Sequence, residues 1–264
     1  LFNFSASHTA GGFKRLYEFS KWFNNKGGTN IIIHPNCTNL MERFSNNSFF
    51  VVKQNMFDRF FNDCSYLKEI NSEIGDIQFY YSYGIPIYQK IANKNWFHLS
   101  NMSPLIPYSV ELDLYDRLRQ IILGRRIKNN FKKCDFISAE SSFSLSHIQK
   151  EYKSRLFLSV NGSDDEINYL ANEKKDKIRD IAITVGTHKY KKIDMVYEMF
   201  LELLKVDPEL KLVIIGDISN LPKNILNNNS IEKTGIIPRE QVIELLRGSR
   251  YFLTATTTEN SFNA

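Results

Sequence analysis

The chain has 264 residues, 34 of them Lys or Arg and 29 Asp or Glu, which leaves a net charge of +5. Aromatic residues make up 13% and charged residues 24%, which excludes a disordered or collagen-like chain. No apolar run reaches the ~20 residues of a spanning helix, no signal-peptide pattern opens the sequence, and the charge is too mild to argue for nucleic acid.

At roughly 100–200 residues per domain, the length predicts two domains with separate cores. Cys37, Cys64 and Cys134 are odd in number and widely spaced. They fit neither a disulfide framework nor a zinc site, and they predict a reducing, cytoplasmic setting. The sequence opens on Leu1 rather than Met, so the first residues of the natural protein are expected to lie outside it.

In chain order, short apolar runs predict strands over 2–5, 30–33, 49–52, 77–81, 96–99, 136–139 and 156–160. Between them, Leu16, Phe19 and Phe23 follow helical spacing, as do Leu114, Leu118, Ile121 and Ile122. Residues 163–180 are dense in Asp, Glu, Lys and Asn and read as a surface linker. The scheme then repeats: strand 181–185, helix 193–204, strand 212–215, helix 241–246 and strand 251–254. Strand–helix alternation requires crossover connections and therefore parallel sheets, an α/β class. The expected domains are 1–163 and 180–264, joined by a linker over 164–179. The second lacks a closing helix after its last strand, so it is expected to be incomplete. Ligands of such sheets bind outside the carboxyl ends of the strands.

Three strand ends carry candidate chemistry. The first strand leads into Gly11-Gly12 and a helix expected to begin near Phe13. Such a glycine pair is either a simple tight turn or a cradle where helix N–H groups face an anion. It is not the glycine fingerprint of a dinucleotide site. Strand 181–185 runs into Gly186-Thr187-His188-Lys189-Tyr190-Lys191-Lys192. These cations at a helix start would stabilise a phosphate leaving group, or else form a solvated loop cluster. The last strand ends in Thr256-Thr257-Thr258-Glu259-Asn260-Ser261-Phe262-Asn263. That stretch suits sugar hydroxyls, or equally an acidic helix start.

The order of these elements resembles the retaining glycosyltransferases of family 4. Gly11-Gly12 is similar to that family's N-terminal glycine loop, and Phe131 through Ser141 to its helix-to-strand segment ending in Ser. Val160-Asn161-Gly162-Ser163-Asp164 is similar to its inter-domain turn, and Val185 through Lys191 with Ile193, Asp194 and Phe200 to the start of its donor domain. Lys211 through Asp217 and Gly235-Ile236-Ile237-Pro238-Arg239-Glu240 continue the match, and Thr258-Glu259-Asn260-Ser261-Phe262 falls on its two-glutamate motif. The resemblance implies a glycosyltransferase-B fold, two Rossmann-like domains facing across a cleft. It implies transfer of a sugar from a UDP-, GDP- or dTDP-sugar to a glycan or lipid-linked acceptor, in bacterial surface-polysaccharide synthesis. No metal or other cofactor is implied, the nucleotide-sugar being a substrate.

Carried over by position, Lys191 and Glu259 are the implied catalytic residues, Lys191 at the donor diphosphate and Glu259 at hydroxyls of the transferred sugar. Gly11, Gly12, Gly186, Thr187, Lys191, Gly216, Ile236, Ile237, Ser261, Phe262 and Asn263 would bind the donor. Thr187 stands where the family usually has an arginine, so either His188 or Lys189 replaces it or the donor is held differently. The family's second glutamate would fall eight residues after Glu259, beyond Ala264. On the acceptor side, either His98 or Asn101 occupies the place of a strand-end histidine, with Tyr83 and Gly84 as further candidates for that wall. A sugar-nucleotide epimerase of the same fold and a non-catalytic partner subunit are the alternative readings. Residues 114–133 carry Arg117, Arg119, Arg125, Arg126, Lys128, Lys132 and Lys133 against Asp116. They form either a solvated helix face or a peripheral contact with the inner face of an anionic membrane.

Overall fold

A computed structural model describes residues 1–8, 10–54, 65–109, 112–148, 150–160, 179–187 and 191–256. Contacts divide the chain into two units that meet at the 161/162 junction. The expected linker over 164–179 lies outside the described residues except for its last position, which already belongs to a strand.

In the first unit, strands β1 (Phe2–Asn3), β2 (Asn30–Ile33), β3 (Ser48–Val51), β4 (Phe79–Tyr83), β5 (Lys94–Leu99), β6 (Phe136–Ala139) and β7 (Leu156–Leu158) form one sheet. The order is β3-β2-β1-β4-β5-β6-β7, and every pairing is parallel. Helices α1 (Ala10–Asn24), α2 (Asn39–Arg43), α3 (Ser65–Ile74), α4 (Leu114–Asn130) and α5 (Ser142–Ser146) connect them. Alternation along β2 shows how both faces become buried. Ile31 and Ile33 pack with Phe4, Leu16 of α1 and Leu40 of α2, whereas Ile32 packs with Leu67 of α3 and Leu123 and Ile127 of α4.

The second unit has strands β8 (Arg179–Val185), β9 (Lys211–Ile215), β10 (Ile231–Gly235) and β11 (Ser249–Phe252) in the parallel order β10-β9-β8-β11. Helices α6 (Ile193–Leu204), α7 (Lys223–Leu226) and α8 (Arg239–Gly248) flank it. Ala182, Leu212 and Ile214 face Val196 and Phe200 of α6, while Ile183, Val213 and Ile215 face Val242 and Leu245 of α8. Strand order reverses between β1 and β4 in one unit and between β8 and β11 in the other. The carboxyl ends flanking such a reversal are where open α/β sheets bind ligands.

Two readings of the sequence are corrected. Strand β10 is absent from the sequence reading, because Glu232 and Lys233 interrupt its apolar run. It is an edge strand, where charge is tolerated and discourages pairing with other chains. Helix α1 begins at Ala10, so Gly11 and Gly12 form its first turn rather than the turn before it. A Cβ on Gly12 would sit 3.3 Å from Ser7 Cβ, which shows how tightly the strand exit folds onto that turn. The apolar stripe Leu114, Leu118 and Ile122 of α4 faces outward. These side chains are exposed, Leu114 to 73%, with Leu123, Gly124 and Ile127 turned inward instead. Among the described residues no helix is long and apolar enough to cross a membrane.

Candidate functional site

The carboxyl ends of β8, β9 and β10 are knitted together by glycines. Gly186 follows β8 at φ +88° and donates its N–H to the Ile215 carbonyl at 2.8 Å. Gly216 follows β9 at φ +144° and donates to the Gly235 carbonyl at 3.0 Å. A Cβ on Gly216 would lie 3.0 Å from Thr187 Cγ2, so glycine satisfies both the backbone angle and the space. Thr187 is buried, and its hydroxyl donates to the Asp217 carbonyl at 2.8 Å. The stem of Lys191 lies over Gly186, its Cε 3.4 Å from where a Cβ would be. The structure thus brings together Gly186, Thr187, Lys191 and Gly216. Ile237 packs below them against the Ile183 cluster, and Ile236 stands 85% exposed at the end of β10. His188, Lys189, Glu259, Ser261, Phe262 and Asn263 lie outside the described residues.

The residue after Lys191 is strained. Lys192 caps α6 with φ 51° and ψ 54°, the left-handed region that ordinary side chains avoid. The chain turns there from the glycine-bearing strand exit into the helix.

In the first unit, Gly11 and Gly12 share the carboxyl edge with His8 and His34, whose rings stack at 4.2 Å. Burial, then His8, then Lys53 hold the His34 pKa below its ordinary value. His98 and Asn101, the two acceptor-side candidates, take up different positions. Asn101 is exposed and lines a cavity of about 290 Å³ beside Gly84 and Ser100. His98 is fully buried, stacked at 5.2 Å on Tyr83.

Neither composition nor motif singled out Arg15, which organises the interior around His98. Its Nη1 lies 3.0 Å from His98 Nε2 and 2.9 Å from Glu140 Oε1, and its Nη2 donates to Ser159 Oγ at 3.1 Å. A guanidinium only donates, so His98 Nε2 accepts and the proton rests on Nδ1, 2.8 Å from Ser138 Oγ. Ser138 also accepts from Trp96 Nε1 at 2.7 Å. His98 is therefore neutral, and burial lowers its pKa against the opposing pull of Glu140. Its ring nitrogens are both engaged, which suits a group that orders the strand ends rather than one that moves a proton. Among the described residues no three His, Cys, Asp or Glu side chains converge as a metal site.

No family model and no curated protein matches the sequence. Solved structures do match in shape. Anabaena Alr3699/HepE, solved in complex with UDP and glucose, superposes with a TM-score of 0.62 at 13% identity, over 99% of this chain and 75% of that one. An α,α-trehalose-phosphate synthase from Burkholderia xenovorans, in complex with glucose-6-phosphate, gives 0.59 at 10% identity over 98% and 79%. A UDP-GlcNAc 2-epimerase from Neisseria meningitidis, bound to UDP-GlcNAc, gives 0.54 at 11% identity over 95% and 75%. The fold is of the glycosyltransferase-B type. Within it, Gly186 with the Lys191 stem and the cavity at Asn101 each occupy the carboxyl edge of their own sheet.

Two outcomes test the interior of the first unit. Both tryptophans, Trp22 and Trp96, belong to it, so their fluorescence follows its unfolding. Arg15→Met and Glu140→Met should each cost about 3–5 kcal/mol by taking the opposite charge from a buried ion pair, while the double variant should cost clearly less than their sum. Additive losses in urea denaturation would refute the pairing. Because the folded pKa of His98 lies below its unfolded value near 6.5, acid protonates the unfolded chain first. Stability should be flat in this group above that value and decline as the pH falls below it, more steeply than in His98→Gln.

Proposed function

We propose that the protein is a retaining glycosyltransferase moving a sugar from a nucleotide-sugar to a glycan or lipid-linked acceptor. The observation that carries this reading is the second unit's strand exit, where the ammonium-bearing stem of Lys191 lies over Gly186. In the reaction so drawn, the bond from the sugar's anomeric carbon to the diphosphate loosens into an oxocarbenium-like state. The acceptor hydroxyl oxygen then bonds to that carbon as its proton passes to an oxygen of the departing diphosphate. Lys191 and the N–H groups that open α6 stabilise the departing diphosphate, as fixed dipoles and charges do for any developing anion. This assigns to Lys191 the charge that a metal ion would otherwise supply. The family-4 resemblance and the nucleotides or sugars named for the structural neighbours support it, as does the shared fold. A bacterial surface-polysaccharide role rests on the resemblance alone.

A second reading, a non-catalytic partner subunit, draws on Thr187. Its buried hydroxyl is committed to Asp217, so it cannot stand in for the arginine usual at that place. A thermal-shift series with UDP, GDP, dTDP and their sugars separates the two. The transferase reading expects one nucleotide to raise the melting temperature, and Lys191→Ala to weaken its binding about tenfold or more, the loss of one charged contact. No shift with any nucleotide would favour the subunit.

The reading includes peripheral contact with an anionic inner membrane face through α4. Leu114, Tyr115, Leu118 and Ile122 are exposed together, and Arg125 and Lys128 are exposed on the same helix. An apolar stripe flanked by cations is what an interfacial helix requires. The protein should therefore sediment with vesicles containing phosphatidylserine and not with phosphatidylcholine alone. Leu118→Glu should abolish the effect, and equal recovery with both vesicles would contradict it.

A further inference from the structure

The cavity of about 290 Å³ in the first unit opens where β4 and β5 end, next to the reversal of strand order at β1 and β4. Its shape is built by two glycines. Gly84 stands at φ +71°, where any Cβ would collide with Ser100 Oγ at 2.3 Å. Gly124 lets α4 approach the loop after β5 so closely that a Cβ would lie 1.9 Å from the Pro104 carbonyl oxygen. A side chain at either position would displace a wall.

The lining is selective in its chemistry. Leu99, Leu123 and Ile127 supply an apolar patch, and Gln54, Ser100, Asn101 and Gln120 supply amides and a hydroxyl. Among the described residues that line it, Arg119 is the one charged group and none is a carboxylate. Gln120 Oε1 is buried and has no hydrogen-bond partner among the described residues, an acceptor left waiting for a donor. The carbonyl of Asn101 already accepts from the Ser103 N–H at 2.8 Å, which leaves its amide NH₂ as a donor. Arg119 is held by Asp116 at 3.6 Å, with both side chains about two-fifths exposed. Such an open pair is weak and yields readily to a second anion. The volume is at the low end of ligand cavities, which run from ~300 Å³ upward, and fits one sugar ring rather than a chain.

We propose that this cavity binds a single sugar unit carrying an anionic group, a phosphate or a carboxylate. Arg119 takes the anion, Gln120 Oε1 accepts from a ring hydroxyl, Asn101 donates to another, and the apolar patch meets the C–H face of the ring. As the acceptor site, it rests on the glycosyl-transfer reading; as a binding site it stands on the cavity alone.

Titration calorimetry on the full chain with glucose, glucuronate and glucose 6-phosphate tests this. At least one of the two anionic sugars should bind about tenfold or more tightly than glucose, the worth of a charged hydrogen bond. Whichever binds better decides between carboxylate and phosphate. Arg119→Gln, at a partly exposed position, should erase that preference while leaving weak glucose-like binding, and Gln120→Leu should weaken all three sugars. Equal affinity for glucose, no binding of any of the three, or an undiminished preference in Arg119→Gln would overturn the proposal. Nucleotide-induced stabilisation of the same samples keeps the two ideas apart. A nucleotide shift without anionic-sugar binding sinks this site and leaves the transferase reading. Anionic-sugar binding without any nucleotide shift supports the site and sinks that reading.

Discussion

Every strand pairing in both sheets is parallel, and a parallel pair cannot be closed by a tight hairpin. Each strand must return through a crossover, so all carboxyl ends of a sheet share one edge. The rest of the molecule follows from this. Both faces of each sheet are covered by helices, as the split of Ile31 and Ile33 from Ile32 shows. The strand exits are left as the place where backbone and polar side chains meet solvent. Gly186, Gly216, Gly84 and Asn101 all stand at such exits, and so do His8 and His34.

Within the first unit that edge is stiffened from beneath by charge. Arg15 reaches from α1 to His98 on β5 and to Glu140 and Ser159 just beyond β6 and β7. Removing such charges from water is costly, and an apolar cluster of the same volume would often be as stable. What the pair adds is geometry. A guanidinium fork accepts its partners from few directions, so it fixes α1, and with it the Gly11–Gly12 turn, against three strand exits. The fully buried, neutral His98 belongs to this scaffold, and the exposed Asn101 to the surface it supports.

The two units use glycine for different ends. In the second, Gly186 and Gly216 occupy positive φ and let Thr187, Asp217 and the Lys191 stem crowd into one turn. In the first, Gly84 and Gly124 remove side-chain volume so that a helix and a loop define a cavity. One arrangement sets the Lys191 stem over a glycine strand exit, the place that the proposed reading gives to a diphosphate. The other presents amides, one guanidinium and apolar carbon, suited to a small hydroxylated anion.

The sequence by itself determined the α/β class, most strands, helix 193–204 and the alignment of Gly186 with Lys191, because these are local. Periodicity, β-branched runs and a glycine at a strand exit are written in neighbouring residues. It did not decide which face of α4 is buried, because Leu114, Leu118 and Ile122 satisfy helical spacing as well as the true inner residues do. Which face turns inward depends on where Pro104 meets Gly124. It passed over β10 because Glu232 and Lys233 break the apolar pattern that an edge strand does not need. Only the tertiary structure decided that Arg15, His98, Ser138, Glu140 and Ser159 form one network, since up to 144 positions separate its partners along the chain. It alone separated buried His98 from cavity-lining Asn101, three residues apart on one strand exit. Burial and hydrogen-bond partners are properties of the packed sheet, and no short stretch of sequence contains them.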